Sequence, residues 1–435
     1  MPEVLFGIYT TLVLIRPMDW WQPILGWQLV TVAAAVTMLA TFPKFMNEWA
    51  MLWRNVPALR WGAFFVAGVT LSWLPPLWLE GMNRTFQEMG KLYVYLFLVY
   101  LLARSERGYR VFLWTVLGCT LWMGVHAVLQ HHRGYGFGNQ PPLWRVRHWE
   151  AKGEDEPPGV WQAIAFGTFE DPNDLCLQFI IAVPLLWAEM MTTKNAVLRV
   201  IAAAGMPLCV YGVWLTNSRG GYLGVFAMVV AYLLGRTKGF KRWALLTTSL
   251  IFLTVFAPSR FAAGLVGQQD RSILWGDGIA MFKANPFFGI GFYQFPRFQE
   301  DHKVAHNTYV HVLAEAGLVG YLPFFCLLYF SVVPLRRALN LKPWLSRTDH
   351  LQLAAIFSAA VGYLTSIYFL SRHRTHMLYI LIGLMGAKTL MVCRSREMFQ
   401  YVMRQGAIET RNALVFGLGS IIFMWITIRV CNALG

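Results

Sequence analysis

Three short stretches set side chains that handle anions and protons beside glycines and helix-starting residues. The first is Thr216-Asn217-Ser218-Arg219-Gly220-Gly221. Asn and Ser favour the position just ahead of a helix, glycine lets the backbone approach a ligand closely, and a helix start offers free N–H groups and partial positive charge. Arg219 added to Asn217, Ser218 and Gly220 makes an anion site. A tight turn whose arginine reaches toward lipid headgroups fits the same residues. The second stretch begins at Asp270-Arg271, where a surface ion pair is the simpler alternative. Asn285-Pro286 stops the helical run that follows, and Gly289-Ile290-Gly291 turns the chain; with no strand before it, this GxG is weak evidence of a phosphate loop.

The third stretch, His306-Asn307-Thr308-Tyr309, opens a long apolar run over 307–334, with Asn307 or Thr308 as its cap. A helix start and nearby guanidinium groups favour neutral imidazole, the form a general base needs. A histidine at the membrane interface bonding a carbonyl is the alternative. The spacing of His302, His306 and His311 raises the question of metal. Residues 302–306 precede the helix, and no carboxylate or thiolate stands at a matching spacing, so no metal site is expected. Arg372-His373-Arg374-Thr375-His376 is a further cluster, suited to anionic membrane lipid, to a substrate phosphate, or to nothing specific. Glu170-Asp171-Pro172-Asn173-Asp174 fits a structural cap better than a catalytic pair.

These stretches must be positioned by membrane helices. Of 435 residues, 57% are apolar and 14% charged, against about 25% charged in soluble domains, and mean hydropathy is +0.46. The fold class expected is an all-α polytopic membrane protein, one membrane domain over 1–435. Spans are expected near 4–16, 24–42, 61–78, 91–104, 109–130, 174–192, 197–215, 221–235, 242–257, 307–334, 350–370, 376–393 and 412–432, giving about 12–13 transmembrane helices. The net charge of +15 is explained by basic loops rather than by nucleic acid. With a cytoplasmic N-terminus, Lys44, Arg54, Arg104, Arg107, Lys194, Arg236, Lys241, Arg337, Lys342 and Arg394 all fall inside. Two long connections, 131–173 and 258–306, then fall outside. The second carries a stretch, Arg271–Ala284, expected to lie as an interfacial helix. No cleavable signal is expected at Met1–Arg16. The six scattered cysteines indicate neither a disulfide framework nor a zinc ribbon.

Together and in this order, the motifs resemble the O-antigen ligase and O-antigen polymerase superfamily. Asn217-Ser218-Arg219-Gly220-Gly221 is followed by Arg271 with Trp275, then by Asn285-Pro286-Phe287-Phe288-Gly289-Ile290-Gly291 and His306-Asn307-Thr308-Tyr309. Leu313-Ala314-Glu315-Ala316-Gly317-Leu318 completes the pattern, with His306 and Gly317 in the family's histidine–ten residues–glycine spacing. Gly167 to Asn173 also resembles the family's upstream segment, so the likeness covers roughly 160–335. It implies a GT-C-type membrane fold in the bacterial inner membrane and an inverting, metal-independent, cofactor-free glycosyltransferase. The donor would be a glycan on undecaprenyl pyrophosphate at the periplasmic face. The acceptor would be a sugar of lipid A-core for a ligase, or another lipid-linked glycan for a polymerase of O-antigen or exopolysaccharide, which would work beside a chain-length regulator. By this resemblance Arg219 and Arg271 bind pyrophosphate and His306 deprotonates the acceptor. Ser218, Asn217, Gly220, Asn307, Tyr309, Arg372 and Arg374 are the surrounding substrate-binding candidates. The rival from another class is a transporter or flippase for anionic lipid-linked sugars. It would use the same arginines for binding only, and it is expected to show repeats and broken mid-membrane helices, which the sequence does not suggest.

Overall fold

The computed structural model describes residues 1–146, 159–236 and 268–434. In chain order its helices are α1 (Pro2–Ile15), α2 (Leu29–Asn55), α3 (Pro57–Leu71), α4 (Leu79–Leu102) and α5 (Glu106–Arg133). A hairpin of β1 (Leu143–Val146) and β2 (Gly159–Gln162) precedes α6 (Pro172–Thr192), α7 (Ala196–Thr216) and α8 (Arg219–Arg236). Then come α9 (Gln268–Ala284), the single turn α10 (Phe295–Phe298), α11 (Thr308–Asn340), α12 (Arg347–Ser366), α13 (His376–Val392), α14 (Arg396–Val402) and α15 (Ala407–Leu434). Among the described residues, seven helices are long and apolar enough to cross a membrane, and Pro57–Leu71, Arg219–Leu234 and His376–Val392 are shorter apolar helices. The chain is an all-α multi-pass membrane protein. The expected span near 242–257, the acidic run Glu154–Glu156 and the start of the 258–306 connection lie outside the described residues.

Burial separates inner helices from lipid-facing ones. Helix α6 is buried along most of its length, whereas α2 and α15 turn apolar side chains outward, with Leu39 75% and Phe416 61% exposed. In water such faces would be costly; in a bilayer they meet lipid, and the helix satisfies its own backbone. Three element bounds differ from expectation. Helix α2 continues past 42 to Asn55, carrying Lys44 and Arg54 on its last turns, because Phe45, Met46, Trp49 and Trp53 keep an apolar face there. Helix α4 starts at Leu79 rather than 91, its polar first turns supported by the Glu80–Arg84 pair one turn apart. Helix α3 stops at Leu71, short of Pro75-Pro76, which cannot continue a helix.

The run expected as one continuous span over 307–334 is broken at Gly317, with φ 55° and ψ −158°. Leu318 and Val319 would ordinarily donate to Ala314 and Glu315. Instead the Leu318 N–H donates to the Pro286 carbonyl at 2.9 Å and the Val319 N–H to that of Phe287 at 3.0 Å. The Ala314 and Glu315 carbonyls accept from Ile290 and Gly291, both at 3.0 Å. Two helical bonds are thus exchanged for four bonds to the Asn285–Gly291 loop. A broken helix in this span is a correction to the sequence reading. Every group freed by the break is satisfied by that loop, so the break docks the segment that follows α9.

One group of charged pairs lies at the end of the bundle away from this junction. Lys388 Nζ stands 2.8 Å from Asp349, Arg394 3.1 Å from the same carboxylate, and Arg337 2.7 Å from Glu409.

Candidate functional site

Segment Ser366–Arg374, between α12 and α13, is where the separate motifs meet. At the α7–α8 turn, Asn217 takes the left-handed conformation (φ 49°). The Ser218 hydroxyl accepts the Gly221 N–H at 3.2 Å, capping α8, and donates to Asn173 Oδ1 at 2.6 Å. The Ser366 hydroxyl donates to the Gly220 carbonyl at 3.1 Å. Arg219, half-buried, is the first residue of α8. On α9, Trp275 packs its ring 5.5 Å from Tyr368 and 6.2 Å from Phe369. Arg271 lies one turn earlier, on the same face of that helix.

The histidine motif reaches the same segment from a third direction. His306 is half-buried in a left-handed conformation (φ 48°) just ahead of Asn307. Asn307 Oδ1 accepts the N–H groups of Tyr309 at 3.0 Å and Val310 at 3.1 Å, capping α11. The Thr308 hydroxyl donates to the Leu370 carbonyl at 2.5 Å and accepts the Arg372 N–H at 2.8 Å. Tyr309 is turned into the bundle, its hydroxyl donating to the Leu364 carbonyl at 3.3 Å. His302, outside this network, is exposed, its Nδ1 2.9 Å from the Pro296 carbonyl. The side chain of Asp270 lies outside the described residues. Helices α8, α9 and α11, with Arg219 and Arg271 on the first two and His306 just ahead of the third, therefore meet at one stretch of chain.

Arg372 and Arg374, neighbours in sequence, are held differently. Arg372 Nη2 donates to Asp171 at 2.5 Å and Nε donates to Asp174, which ties the α12–α13 loop to the start of α6. Burial disfavours the charged guanidinium, but Asp174 and Asp171 more than offset this and hold its pKa above the ordinary value. Arg374 stacks its guanidinium 4.0 Å from the Tyr293 ring centroid. Its pKa is lowered, chiefly by burial, against the pull of Glu315 and Glu88.

Beneath this segment lies a polar group that the sequence reading missed. Glu315 and His311 are one turn apart on α11 and both fully buried, with Glu315 Oε1 3.0 Å from His311 Nε2. That is ion-pair distance without hydrogen-bond alignment. The same carboxylate oxygen accepts the Phe295 N–H at 3.0 Å. The His373 ring packs 5.0 Å from that of His311, and burial first, then His311, Arg374 and Arg372, push its pKa well below the usual histidine value. The i, i+4 spacing of His311 and Glu315 was the available signal.

The decisive likeness is one of sequence. Residues 204–325 match the family model described as O-antigen ligase. This similarity supports the O-antigen ligase and polymerase superfamily. The match takes in Arg219, Arg271, His306, Glu315 and Gly317 and ends before Arg372. No curated protein matches the chain.

Proposed function

We propose that this chain transfers a glycan from undecaprenyl pyrophosphate to an acceptor sugar hydroxyl at the periplasmic face of the bacterial inner membrane, as a ligase or a polymerase. The observation that carries the reading is the meeting of α8, α9 and α11, which bring Arg219, Arg271 and His306, at Ser366–Arg374. His306 takes the acceptor's proton while the hydroxyl oxygen forms a bond to the anomeric carbon. The bond from that carbon to the pyrophosphate oxygen breaks, and its electron pair leaves with the phosphate. Arg219 and Arg271 neutralise the growing charge, and guanidinium groups can do so bidentately. One displacement inverts the anomeric centre and needs no metal.

Basic residues at the opposite end of the bundle support a cytoplasmic placement of that end. Under this reading the substrate-binding candidates have separate parts. Asn217, Ser218, Asn307 and Tyr309 shape the turns that present the arginines and the histidine. Arg372 braces them through Asp171 and Asp174, and Arg374 is left closer to the substrate.

The test is product formation by the purified protein from lipid-linked glycan in nanodiscs. His306→Ala should lower turnover by ~10²–10⁴-fold with donor binding retained. Arg219→Lys and Arg271→Lys should restore little, since lysine lacks the planar fork. Activity should survive EDTA. A His306→Ala protein that keeps more than a tenth of normal turnover overturns the assignment of the base. The break at Gly317 gives the transporter reading one point in its favour. Covalent product formed by protein with no ion gradient decides against transport alone.

A further inference from the structure

The β1–β2 hairpin belongs to the long connection 131–173, expected to be an external loop. Its antiparallel register sets Trp144 opposite Trp161 and Val146 opposite Gly159. The two indoles share one face, with centroids 4.8 Å apart and planes at 52°. Trp144 lies over Gly159, where an added Cβ would stand 2.2 Å from its ring. Both rings nevertheless remain open, 44% exposed for Trp144 and 55% for Trp161. Cross-strand aromatic pairing stabilises a hairpin, yet it does not require leaving half of each ring uncovered.

The second strand is fastened to the turn that carries Arg219. Asn217 Nδ2 donates to the Trp161 carbonyl at 3.3 Å, and Gln162 Nε2 donates to the Thr216 carbonyl at 2.8 Å. The Ala163 N–H donates to the Leu215 carbonyl at 3.0 Å. Trp161 is thus one hydrogen bond from Asn217, which is two residues before Arg219. An indole face binds the apolar C–H face of a pyranose and leaves its hydroxyls to polar neighbours. Aromatic walls with a few placed polar groups are the common make-up of small-ligand sites. Tryptophans that anchor a protein in the headgroup layer usually project from the ends of spanning helices. These two stand on a hairpin outside any span.

We infer that Trp144 and Trp161 form a sugar-stacking subsite that seats pyranose rings of the lipid-linked glycan beside the pyrophosphate end of the site. The inference rests on the proposed function and names where the glycan lies. The pair favours sugar-bearing carrier over bare carrier, while Arg219 and Arg271 bind the pyrophosphate common to both.

The experiment measures affinity of full-length protein, in nanodiscs of phosphatidylethanolamine and phosphatidylglycerol, for two probes: glycan-bearing undecaprenyl pyrophosphate and undecaprenyl pyrophosphate alone. His306→Ala is the background for every variant, so that turnover does not intrude. Trp144→Ala and Trp161→Leu should each weaken the glycan-bearing probe by roughly tenfold and leave the bare carrier unchanged. Trp144→Phe and Trp161→Phe, which keep an aromatic face and the cross-strand pair, should retain most of the affinity. Parallel loss for both probes, or equal binding of both by the parent, overturns the platform alone. A parent that binds neither probe overturns the donor assignment and the platform with it.

Discussion

The carboxylate of Glu315 meets the imidazole of His311 at 3.0 Å with both side chains sealed from solvent. Glu315 also holds the loop from both sides of its own residue, by its carbonyl to Gly291 and its carboxylate to Phe295. Leaving a buried polar group without its partner typically costs about 1–3 kcal/mol. Glu315→Ala should approach that cost, because His311 and the Phe295 N–H are both left behind. Glu315→Gln still offers an oxygen to Phe295 and should lose about 1 kcal/mol. Denaturant unfolding in micelles gives both values, and equal losses would mean that the loop contact contributes nothing.

At Gly317 the backbone occupies a region that is essentially closed to other residues. A Cβ there would stand 2.3 Å from the Phe287 carbonyl oxygen. Gly317→Ala is expected to displace the Asn285–Gly291 loop and abolish turnover. Gly419→Ala, on lipid-facing α15 with no atom within 4 Å of the added methyl, should leave turnover intact. Normal activity in the Gly317 variant would show that the broken helix has no part in holding the site.

Arg372 is braced by two carboxylates, which sets it apart from an arginine waiting for phosphate. Arg372→Ala and Asp174→Ala should each destabilise the fold, and the double variant should lose less than the two together, since each single change strands a buried charge. Additive losses in a thermal-shift cycle would separate the two side chains energetically.

His373 carries a pH signature. Its pKa is depressed in the fold, so the unfolded chain takes up a proton first as pH falls below about 6.5. The stability from keeping it neutral is full above that value and is lost as pH drops toward the folded pKa. Melting temperature should therefore fall more steeply between pH 7 and pH 5 in the parent than in His373→Asn. Parallel curves would show that this imidazole is not kept neutral.

Orientation is open to a direct check. Tyr135 and Trp344 are both exposed, on the connections at opposite ends of the bundle, and four native cysteines are buried. Tyr135→Cys should react with an impermeant thiol reagent on intact spheroplasts, and Trp344→Cys only after lysis. The reverse pattern would put the proposed donor site in the cytoplasm.

Much of this arrangement was legible in the residues. Asn307 and Ser218 mark helix starts by their chemistry, and the apolar face of Ile273, Leu274, Trp275 and Ile279 marks α9. The break at Gly317 was hidden because the helical run continues on both sides of it, and only the distant Pro286–Gly291 backbone satisfies it. The β1–β2 hairpin was missed because four residues per strand are too few to display alternation. Arg372 and Asp171 each looked like a local feature of its own turn, since nothing in a single sequence links charges so far apart.

That separation has a consequence for biosynthesis. Asp171 and Arg372 are 201 residues apart, and α6 is made and inserted long before the ribosome reaches the arginine. Until then Asp171 and Asp174 remain without the charge that lets Asp174 be buried, and the start of α6 stays hydrated. This end of the bundle can be clasped only once α12 and the connection after it have delivered Arg372. A nascent chain halted before Ser371 carries Arg219, Arg271 and His306 but not the clasp that ties the start of α6 to the α12–α13 connection.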